Sequence, residues 1–357
     1  MSNADDDWLL RGDEMKAIVY EKHGGPEVLE YREVPEPRIG ADEVLVRVRA
    51  CALNHLDLFV REGWPGLKLS MPHIPGSDIA GEVARVGAGV TRVKAGERVL
   101  LAPLISCGKC EKCAAGEDNR CPEYRMIGEM VDGGCAEFVA APEENVFPIP
   151  AGLSFEEAAS VPLVFLTAWH MLMTRAKLKP AETVLVLGAT SGVGSAAIQI
   201  AKVAGARVIT TAGSERKLEF GLKLGADEGI LHSTQKISAE VKRLTGGRGV
   251  DVVVEHVGTA TWDQSVASLK KGGRLVTCGA TTGYDAHVDL RFLFFREYSL
   301  LGSFMGSRAE MHPVLELFSC GKLRPVVDEV MPLEKAVEAH RKLESREQFG
   351  KIVLKVG

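Results

Sequence analysis

A buried strand, a glycine-rich turn and an apolar helix follow one another without interruption near the middle of the chain. The apolar run at 183–187 predicts the strand, residues 188–194 (Gly-Ala-Thr-Ser-Gly-Val-Gly) predict the turn, and residues 195–204 predict the helix. A second strand is predicted at 207–211, and strands and helices then alternate as far as 299–303. This alternation predicts a doubly wound parallel sheet.

The glycine-rich turn predicts a dinucleotide site. Glycines allow a tight turn and a close approach of the backbone to a pyrophosphate, and the helix that follows supplies N–H groups and a positive dipole. A strand–helix turn without a ligand is the alternative, and the surrounding βαβ unit favours the ligand. The predicted cofactor contacts in the turn are Gly188, Ala189, Thr190, Ser191, Gly192, Val193 and Gly194.

The residues after the second strand favour NADPH over NADH. An NAD site usually places an acidic residue at the end of this strand, where it binds the ribose 2′-hydroxyl. Here no acid stands at the strand end, and Ser214, Arg216 and Lys217 follow. We predict that Ser214 and Lys217 hold the 2′-phosphate, with Arg216 in support. The alternative is a solvated first helical turn, with Glu215 turned inward.

Four cysteines form a compact cluster, with two residues between each of the first three and seven residues before the fourth: Cys107, Cys110, Cys113 and Cys121. Zinc takes four thiolates tetrahedrally, and a site closed by four protein ligands has no open position for chemistry. A redox pair does not explain four cysteines in one short loop. The spacing therefore predicts one structural zinc per chain, in a lobe at about 103–125.

Composition argues against two classes of partner. The formal net charge is -5 and no long basic run exists, so nucleic acid is not expected. No apolar stretch approaches the ~20 residues of a membrane span.

The acidic start does not resemble a signal peptide, and the clustered cysteines indicate a reducing compartment, so we expect a cytoplasmic protein. Residues 1–14 are predicted to form a flexible extension.

Further motifs are similar to those of the medium-chain dehydrogenases/reductases, the superfamily of zinc alcohol dehydrogenases and quinone oxidoreductases. They are residues 24–29 (Gly-Gly-Pro-Glu-Val-Leu), 54–57 (Asn-His-Leu-Asp), 75–81 (Pro-Gly-Ser-Asp-Ile-Ala-Gly) and 350–354 (Gly-Lys-Ile-Val-Leu). The resemblance implies an α/β chain with a GroES-like β-rich catalytic domain at 15–153 and 305–357. A Rossmann domain at 154–304 would lie across an active cleft from it. The resemblance also implies a homodimer, with a tetramer as the alternative.

This chain departs from the zinc alcohol dehydrogenases at the cleft positions that hold a catalytic zinc. The resemblance places Asn54 at a cysteine ligand, Ser77 at a histidine ligand and Leu163 at the third ligand. Zinc prefers thiolate, imidazole and carboxylate over a neutral amide or hydroxyl. We therefore expect no catalytic zinc. The alternative is an atypical metal site, for which the candidate ligands are His55, Asp57, His73 and Asp78.

The absence of catalytic zinc ligands predicts reduction of a conjugated acceptor. Hydride addition to a quinone, an enone or an enoyl thioester needs less help from a Lewis acid, because the negative charge spreads onto the acceptor's own oxygen. We predict hydride transfer from NADPH to such a small molecule, followed by protonation from water or a nearby group. The alternatives are an alcohol dehydrogenase with an atypical metal site, and an NADPH-binding protein with a sensing or structural role.

The resemblance also implies roles for individual residues. Asn54 and Asp57 would shape the cleft and orient substrate or water, and Thr167 would lie beside the nicotinamide. His232 would lie near the adenosine, and Lys351 would approach the cofactor phosphates from the tail.

Overall fold

Two large β-sheets organise residues 14–357, the part of the chain that the computed structural model describes. The strands are β1 (Glu14–Val19), β2 (Glu30–Pro35), β3 (Glu43–Ala52), β4 (Asp78–Val86), β5 (Arg98–Leu101), β6 (Leu104–Ile105), β7 (Arg125–Met126), β8 (Phe138–Pro142), β9 (Val146–Pro148), β10 (Thr183–Val186), β11 (Arg207–Ala212), β12 (Glu228–Leu231), β13 (Val250–Glu255), β14 (Leu269–Thr277), β15 (Ser299–Gly302), β16 (Val327–Pro332) and β17 (Lys351–Lys355). The α-helices are α1 (His55–Glu62), α2 (Glu111–Ala114), α3 (Phe155–Ala159), α4 (Pro162–Trp169), α5 (Gly192–Val203), α6 (Glu215–Lys223), α7 (Ile237–Leu244), α8 (Trp262–Ala267), α9 (Leu290–Phe295), α10 (Arg308–Ser319) and α11 (Ala336–Glu344).

Six parallel strands form one sheet, in the order β12-β11-β10-β13-β14-β15. Counted along the chain, this order is 3-2-1-4-5-6, that of a doubly wound dinucleotide-binding sheet. Successive strand residues point to opposite faces, so Val184 packs in one core with α5 and Leu185 packs in another with α7. Helices therefore cover both faces, which confirms the predicted doubly wound α/β sheet.

The seven-stranded sheet joins strands from both ends of the chain, in the order β16-β17-β3-β4-β5-β9, with β8 also paired to β3. Alternate apolar residues such as Val44, Val46 and Ile352 are fully buried in its core. The last strand pairs antiparallel with β3, so that Val353 lies opposite Ala52. This pairing brings Lys351, the first residue of β17, next to the start of α1.

The predicted flexible extension at 1–14 falls outside the described residues except for Glu14, which opens β1. Within residues 14–357, no helix combines the length and the apolar character needed to cross a membrane.

Candidate active site and cofactor cleft

A cavity of about 820 Å³ lies between the two large sheets. One wall carries the glycine-rich turn between β10 and α5, and the other carries the starts of α1 and β17. The cavity faces the carboxyl ends of parallel strands, where doubly wound sheets bind their ligands. The predicted site residues on its walls are Asn54, Thr167, Gly188, Ala189, Thr190, Ser191, Gly192, Val193, Ser214, Lys217, His232 and Lys351.

The glycine-rich turn presents the N-terminus of α5 to the cavity. Ser191 caps the helix, because its Oγ accepts a hydrogen bond of 2.8 Å from the backbone N of Gly194. Gly188 has a φ of 63°, which glycine adopts without strain. A Cβ atom on Gly194 would lie 2.2 Å from the carbonyl oxygen of Gly188. Gly194 therefore permits close packing of the helix on the strand. The sequence predicts it as a cofactor contact, but it is not among the residues that line the cavity.

His256 lies beside this turn, although the sequence analysis does not identify it. Its Nε2 atom is 2.9 Å from the carbonyl oxygen of Leu187 and 3.2 Å from Oγ of Ser191. The residue follows β13 directly, at the carboxyl edge of the parallel sheet. A histidine directly after a predicted parallel strand is the sequence feature that could have indicated His256 as a site residue.

The end of the cavity beside β11 and β12 carries the predicted residues Ser214, Lys217 and His232. Ser214 caps α6, because its Oγ accepts a hydrogen bond of 3.4 Å from the backbone N of Lys217. Burial lowers the pKa of Lys217 and that of His232. Arg346, which the sequence analysis does not identify, brings a further cation to this end from the segment after α11.

Arg216 is not among the residues that line the cavity, and its predicted support of a 2′-phosphate stays a prediction. Its guanidinium lies over the ring of Phe349, 4.8 Å from the ring centre. Arg216 and Lys217 are consecutive on α6, so their side chains leave the helix in directions about 100° apart. Lys217 lines the cavity, and its Nζ atom donates to the carbonyl oxygen of Arg346 and lies 5.8 Å from the centre of the Phe349 ring.

Lys351, Asp78 and Asn54 form a buried polar cluster on the opposite wall. The Nζ atom of Lys351 donates to Oδ2 of Asp78 at 2.8 Å and to Oδ1 of Asn54. Nδ2 of Asn54 donates to the same Asp78 oxygen at 3.0 Å. The other Asp78 oxygen accepts a hydrogen bond of 2.7 Å from the backbone N of Leu163. Lys351 has three donors, and these contacts use two of them.

Lys351 lines the cavity beside the glycine-rich turn, and its predicted approach to the cofactor phosphates stays a prediction. Its aliphatic stem passes the glycine-rich turn, since a Cβ atom on Gly192 would lie 3.3 Å from Cδ of Lys351. The ammonium group is directed away from the turn, towards Asp78. A fully buried carboxylate needs a cation close by, and Lys351 supplies it.

Asp57 is buried and is not among the residues that line the cavity, so its predicted role in shaping the cleft and orienting substrate or water would act through Asn54. Its two oxygens accept hydrogen bonds from the backbone N of Asn54 at 2.6 Å and from that of Gly76 at 3.1 Å. Asn54 and Asp57 together form the capping box of α1. Burial raises the pKa of Asp57 to about 6, although both hydrogen bonds oppose the shift. Asp57 therefore positions Asn54 from behind.

The cavity becomes apolar around Thr167. The hydroxyl of Thr167 lies 3.8 Å from Sδ of Met305, which packs with Leu104 and Met126. Phe304 and Leu56 extend the apolar wall. This end suits the carbon body of a substrate, and the Asn54–Lys351 pair supplies polar donors beside it.

The four candidate ligands of an atypical metal site do not converge. Asp57 and Asp78 are bound to backbone amides and to Lys351, as described above, and the ring of His73 lies 3.3 Å from the carbonyl oxygen of Gly128. His55 faces the cavity, and burial lowers its pKa to about 4. Among residues 14–357, the four cysteines form the only group of such side chains with metal-binding spacing.

Those four cysteine sulfurs converge in a lobe beside the cavity. All four Sγ atoms lie within 4.8 Å of one another, and three pairs are 3.5, 3.9 and 3.9 Å apart. A tetrahedral zinc with Zn–S bonds of ~2.3 Å separates its sulfurs by about 3.8 Å, so the cluster fits zinc. Backbone N–H groups of Lys109 and Cys110 lower the pKa of the Cys107 thiol to about 7, which favours the thiolate that a metal needs.

The cysteine lobe also braces the cavity wall. Nδ2 of Asn119 donates to the carbonyl oxygen of Phe304 at 3.0 Å, and the Asp118 carboxylate accepts from the backbone N of Arg308 at 3.2 Å. Phe304 lines the cavity. The lobe is thus a structural support for the apolar end of the site.

The structure combines a doubly wound sheet, which carries a glycine-rich turn, with a second β-rich body across a deep cleft. This combination defines the class of dinucleotide-dependent enzymes. Comparison with known families agrees. The model of the alcohol dehydrogenase GroES-like domain matches residues 40–151, and that of the zinc-binding dehydrogenases matches residues 192–319. The chain belongs to the medium-chain dehydrogenases/reductases, and it is an NAD(P)-dependent oxidoreductase.

Individual relatives cover nearly the whole chain. An NAD-dependent alcohol dehydrogenase of Sulfolobus acidocaldarius is 35% identical, over 96% of this chain and 100% of its own length. An acryloyl-coenzyme A reductase of Metallosphaera sedula is 34% identical, over 95% of this chain and 99% of its own. A crystal structure described as an NAD-dependent alcohol dehydrogenase is 49% identical, with a TM-score of 0.94, over 96% and 100% of the two chains. The predicted combination of GroES-like and Rossmann folds is therefore confirmed.

Proposed function

We propose that this enzyme transfers hydride from NADPH to a conjugated carbonyl compound or a quinone, without a catalytic zinc. The observation that carries the proposal is the Lys351–Asp78–Asn54 cluster. It stands on the wall where the family resemblance would place a catalytic zinc, and its donors are an ammonium, an amide and one carboxylate already bound to that ammonium. This set lacks the thiolates and imidazoles that zinc prefers.

The residues of the cluster suit the charge that develops in such a reduction. NADPH supplies the hydride when it is bound. Negative charge then grows on the substrate oxygen, and the third N–H group of Lys351 is available to stabilise it by a hydrogen bond. Asn54 and Asp78 hold the ammonium in place before the reaction, so little reorganisation is needed. In this role Lys351 replaces the Lewis acid of the zinc enzymes.

The preference for NADPH rests on the cations at the β11 end of the cavity. Lys217 and Arg346 line this end, and no acid follows β11 before Ser214. Two unlike charges at hydrogen-bond distance attract one another strongly in a partly buried site. Both dehydrogenases named above are described as NAD-dependent, so NADH is the competing cofactor.

A zinc-dependent alcohol dehydrogenase is the second candidate, because a similar solved structure is described as an NAD-dependent alcohol dehydrogenase and the matching family model is that of the zinc-binding dehydrogenases. Metal analysis of the purified enzyme separates the two candidates, followed by assays with enones, quinones, enoyl-CoA thioesters, aldehydes and alcohols. We expect one zinc per chain and oxidation of NADPH by a conjugated acceptor. Two zinc ions per chain, with alcohol oxidation lost when the second is removed, would overturn the proposal. Tight binding of NADPH without turnover of any acceptor would favour a sensing role instead.

We also infer a homodimer. Strand β15 is an edge of the parallel sheet in the described structure, and the neighbouring helix α9 exposes Leu290, Phe292 and Phe294. Pairing of β15 with a second copy would cover this apolar surface and extend the sheet. Light scattering of the purified enzyme tests the inference: twice the chain mass supports it, and a monomer contradicts it.

A further inference from the structure

Glu129 is an acidic side chain on the wall of the active-site cavity that no role described above uses. The residue is 7% exposed and lines the cavity. Burial raises the pKa of its carboxyl, and no hydrogen bond or ion pair within residues 14–357 contributes to this shift. Its oxygens are not fully enclosed by protein, so the carboxyl opens to the cavity, where a ligand or a proton can satisfy it.

The backbone holds Glu129 in a fixed place near the polar cluster. Its N–H donates to the carbonyl oxygen of Met126 at 3.2 Å, and that of Gly128 donates to Val131 at 2.8 Å, so the segment is a tight turn. Gly128 has a φ of 80°, and a Cβ atom there would lie 2.5 Å from the carbonyl carbon of Gly76. The turn is thus pressed against Gly76, two residues before Asp78.

The other side of the turn leads to the apolar end of the cavity. Met126 is packed with Met305, and Met305 lies 3.8 Å from the hydroxyl of Thr167. The turn that carries Glu129 thus lies between the segment of Gly76, which leads to Asp78, and the Met126–Met305 contact beside Thr167. In the proposed reaction, the reacting carbons of the substrate would lie in this part of the cavity.

The other titratable groups on the cavity walls are poorly suited to give up a proton there. The pKa of His55 is lowered to about 4, so its ring is neutral at pH 7, and burial raises the pKa of Cys278 to about 12. His256 is bound to the glycine-rich turn, and Lys351 is paired with Asp78. Three further groups belong to the β11 end of the cavity, namely Lys217, His232 and Arg346.

We propose that Glu129 is the catalytic acid that protonates the substrate after hydride transfer. The inference rests on the proposed reduction of a conjugated acceptor. The reduced cofactor gives a hydride to the β-carbon, and the π electrons shift to the carbonyl oxygen. The O–H bond of the Glu129 carboxyl then breaks, and its proton forms a C–H bond at the α-carbon. The products are the saturated carbonyl compound, the oxidised cofactor and the Glu129 carboxylate, which takes a new proton from solvent.

The test compares Glu129→Gln with Glu123→Gln, an exposed glutamate of the same lobe, in assays with the best acceptor of the wild-type enzyme. General acid catalysis typically contributes about 10²–10⁴-fold, so we expect Glu129→Gln to lower kcat at least 10²-fold and to leave the Kd for NADPH unchanged. Wild-type kcat should fall as pH rises through the carboxyl pKa, and this limb should be absent in Glu129→Gln. Tyr124 is a titratable neighbour, because the Glu129 carboxylate adds to the effect of burial in raising the pKa of its phenol, and it remains in the variant.

Glu129→Asp keeps the acid on a shorter stem, and it decides the matter if the glutamine variant does not fold. We expect it to retain the high-pH limb with reduced kcat. Wild-type kcat and an unchanged pH profile in Glu129→Gln would overturn the inference, as would loss of the limb in Glu123→Gln. Failure of the proposed function has a different outcome, because the wild-type enzyme itself would then reduce no conjugated acceptor.

Discussion

The Nζ atom of Lys351 lies 2.8 Å from Oδ2 of Asp78, and these side chains are 3% and 0% exposed. The two residues are 273 positions apart in the chain. Strand β3 lies between them, since it pairs with β17 on one side and with β4, which begins at Asp78, on the other. The polar cluster of the cleft therefore forms only when the two ends of the chain share one sheet.

Replacing Lys351 by Met is expected to destabilise the protein, because it leaves the Asp78 carboxylate buried without a cation. Breaking one side of a buried ion pair costs about 3–5 kcal/mol. Urea unfolding of Lys351→Met measures this loss, and Lys355→Met, an exposed lysine at the other end of β17, is the control. Adding Asp78→Asn to Lys351→Met should recover part of the stability. Equal stability of the two single lysine variants would contradict the prediction.

The pH dependence of stability should reflect Asp57. Its folded pKa of about 6 lies above the ordinary value of 3.8, so the folded state holds a proton that the unfolded state releases. The stabilisation is complete below about pH 4 and is lost as pH rises through 6. A shift of about two units corresponds to roughly 3 kcal/mol. Unfolding free energies of wild type and Asp57→Asn, compared from pH 4 to 7, should differ by this pH-dependent amount, whereas exposed Asp263→Asn should follow wild type.

Lys217→Met should weaken NADPH binding and spare NADH. Loss of one charge-assisted hydrogen bond costs about 1.5–3 kcal/mol, so the Kd for NADPH should rise roughly tenfold or more. Arg216→Met is the matched control, since that side chain stacks on Phe349 outside the cavity. Titration of cofactor fluorescence gives both constants. A larger effect in Arg216→Met than in Lys217→Met would show that the helix presents the other cation to the cofactor.

Cys113→Ser should remove the structural metal. Elemental analysis should fall from one zinc per chain to none, and the melting temperature should drop by roughly 5–10 °C, as for a loss of a few kcal/mol. Activity should fall as well, because Asn119 of the lobe holds Phe304 on the cavity wall. The exposed Cys320→Ser serves as control and should keep both zinc and stability. Retention of a full zinc equivalent in Cys113→Ser would contradict the four-thiolate site.

Gly194→Ala should disturb the cofactor turn. Its Cβ atom would lie 2.2 Å from the carbonyl oxygen of Gly188, so α5 must move away from β10. Overpacking of this kind costs about 1–3 kcal/mol, and the Kd for either cofactor should rise because the helix N-terminus moves with the turn. Gly40→Ala, at an exposed position where the nearest atom to the new Cβ would be a flexible Glu43 carboxylate oxygen at 3.3 Å, should change neither stability nor Kd appreciably. The two variants can be compared by thermal melting and fluorescence titration.

Local patterns in the sequence were sufficient to predict the parts of the site that lie within one continuous segment of the chain. The turn at 188–194 belongs to a strand–turn–helix unit, and the four cysteines belong to one loop, so spacing and residue type were enough. In both cases the chemistry depends on backbone geometry that short segments adopt in many proteins. Asn54 and Thr167 also line the cavity, although only a family resemblance indicated them.

Tertiary structure was needed wherever a role depends on the direction of a side chain or on a distant partner. Arg216 and Lys217 are neighbours with like charge, and the rotation of α6 against the sheet turns only one of them inward. Asp57 has the right type for a cleft residue, but the capping of α1 draws its carboxylate beneath the cavity floor. Glu129 is one glutamate among many in the sequence, and only the folded structure shows that its turn packs on Gly76 and that it lines the cavity.

The family, the fold class, the glycine-rich turn and the cysteine cluster could thus be predicted from the amino-acid sequence, because each is marked by motifs of residues close together in the chain. The roles of the side chains in the cleft could not be predicted in this way. Burial compels Lys351 to pair with Asp78, and it leaves Glu129 as a carboxyl without a protein partner. Burial and pairing of this kind arise from contacts between remote segments, and those contacts exist only in the folded molecule.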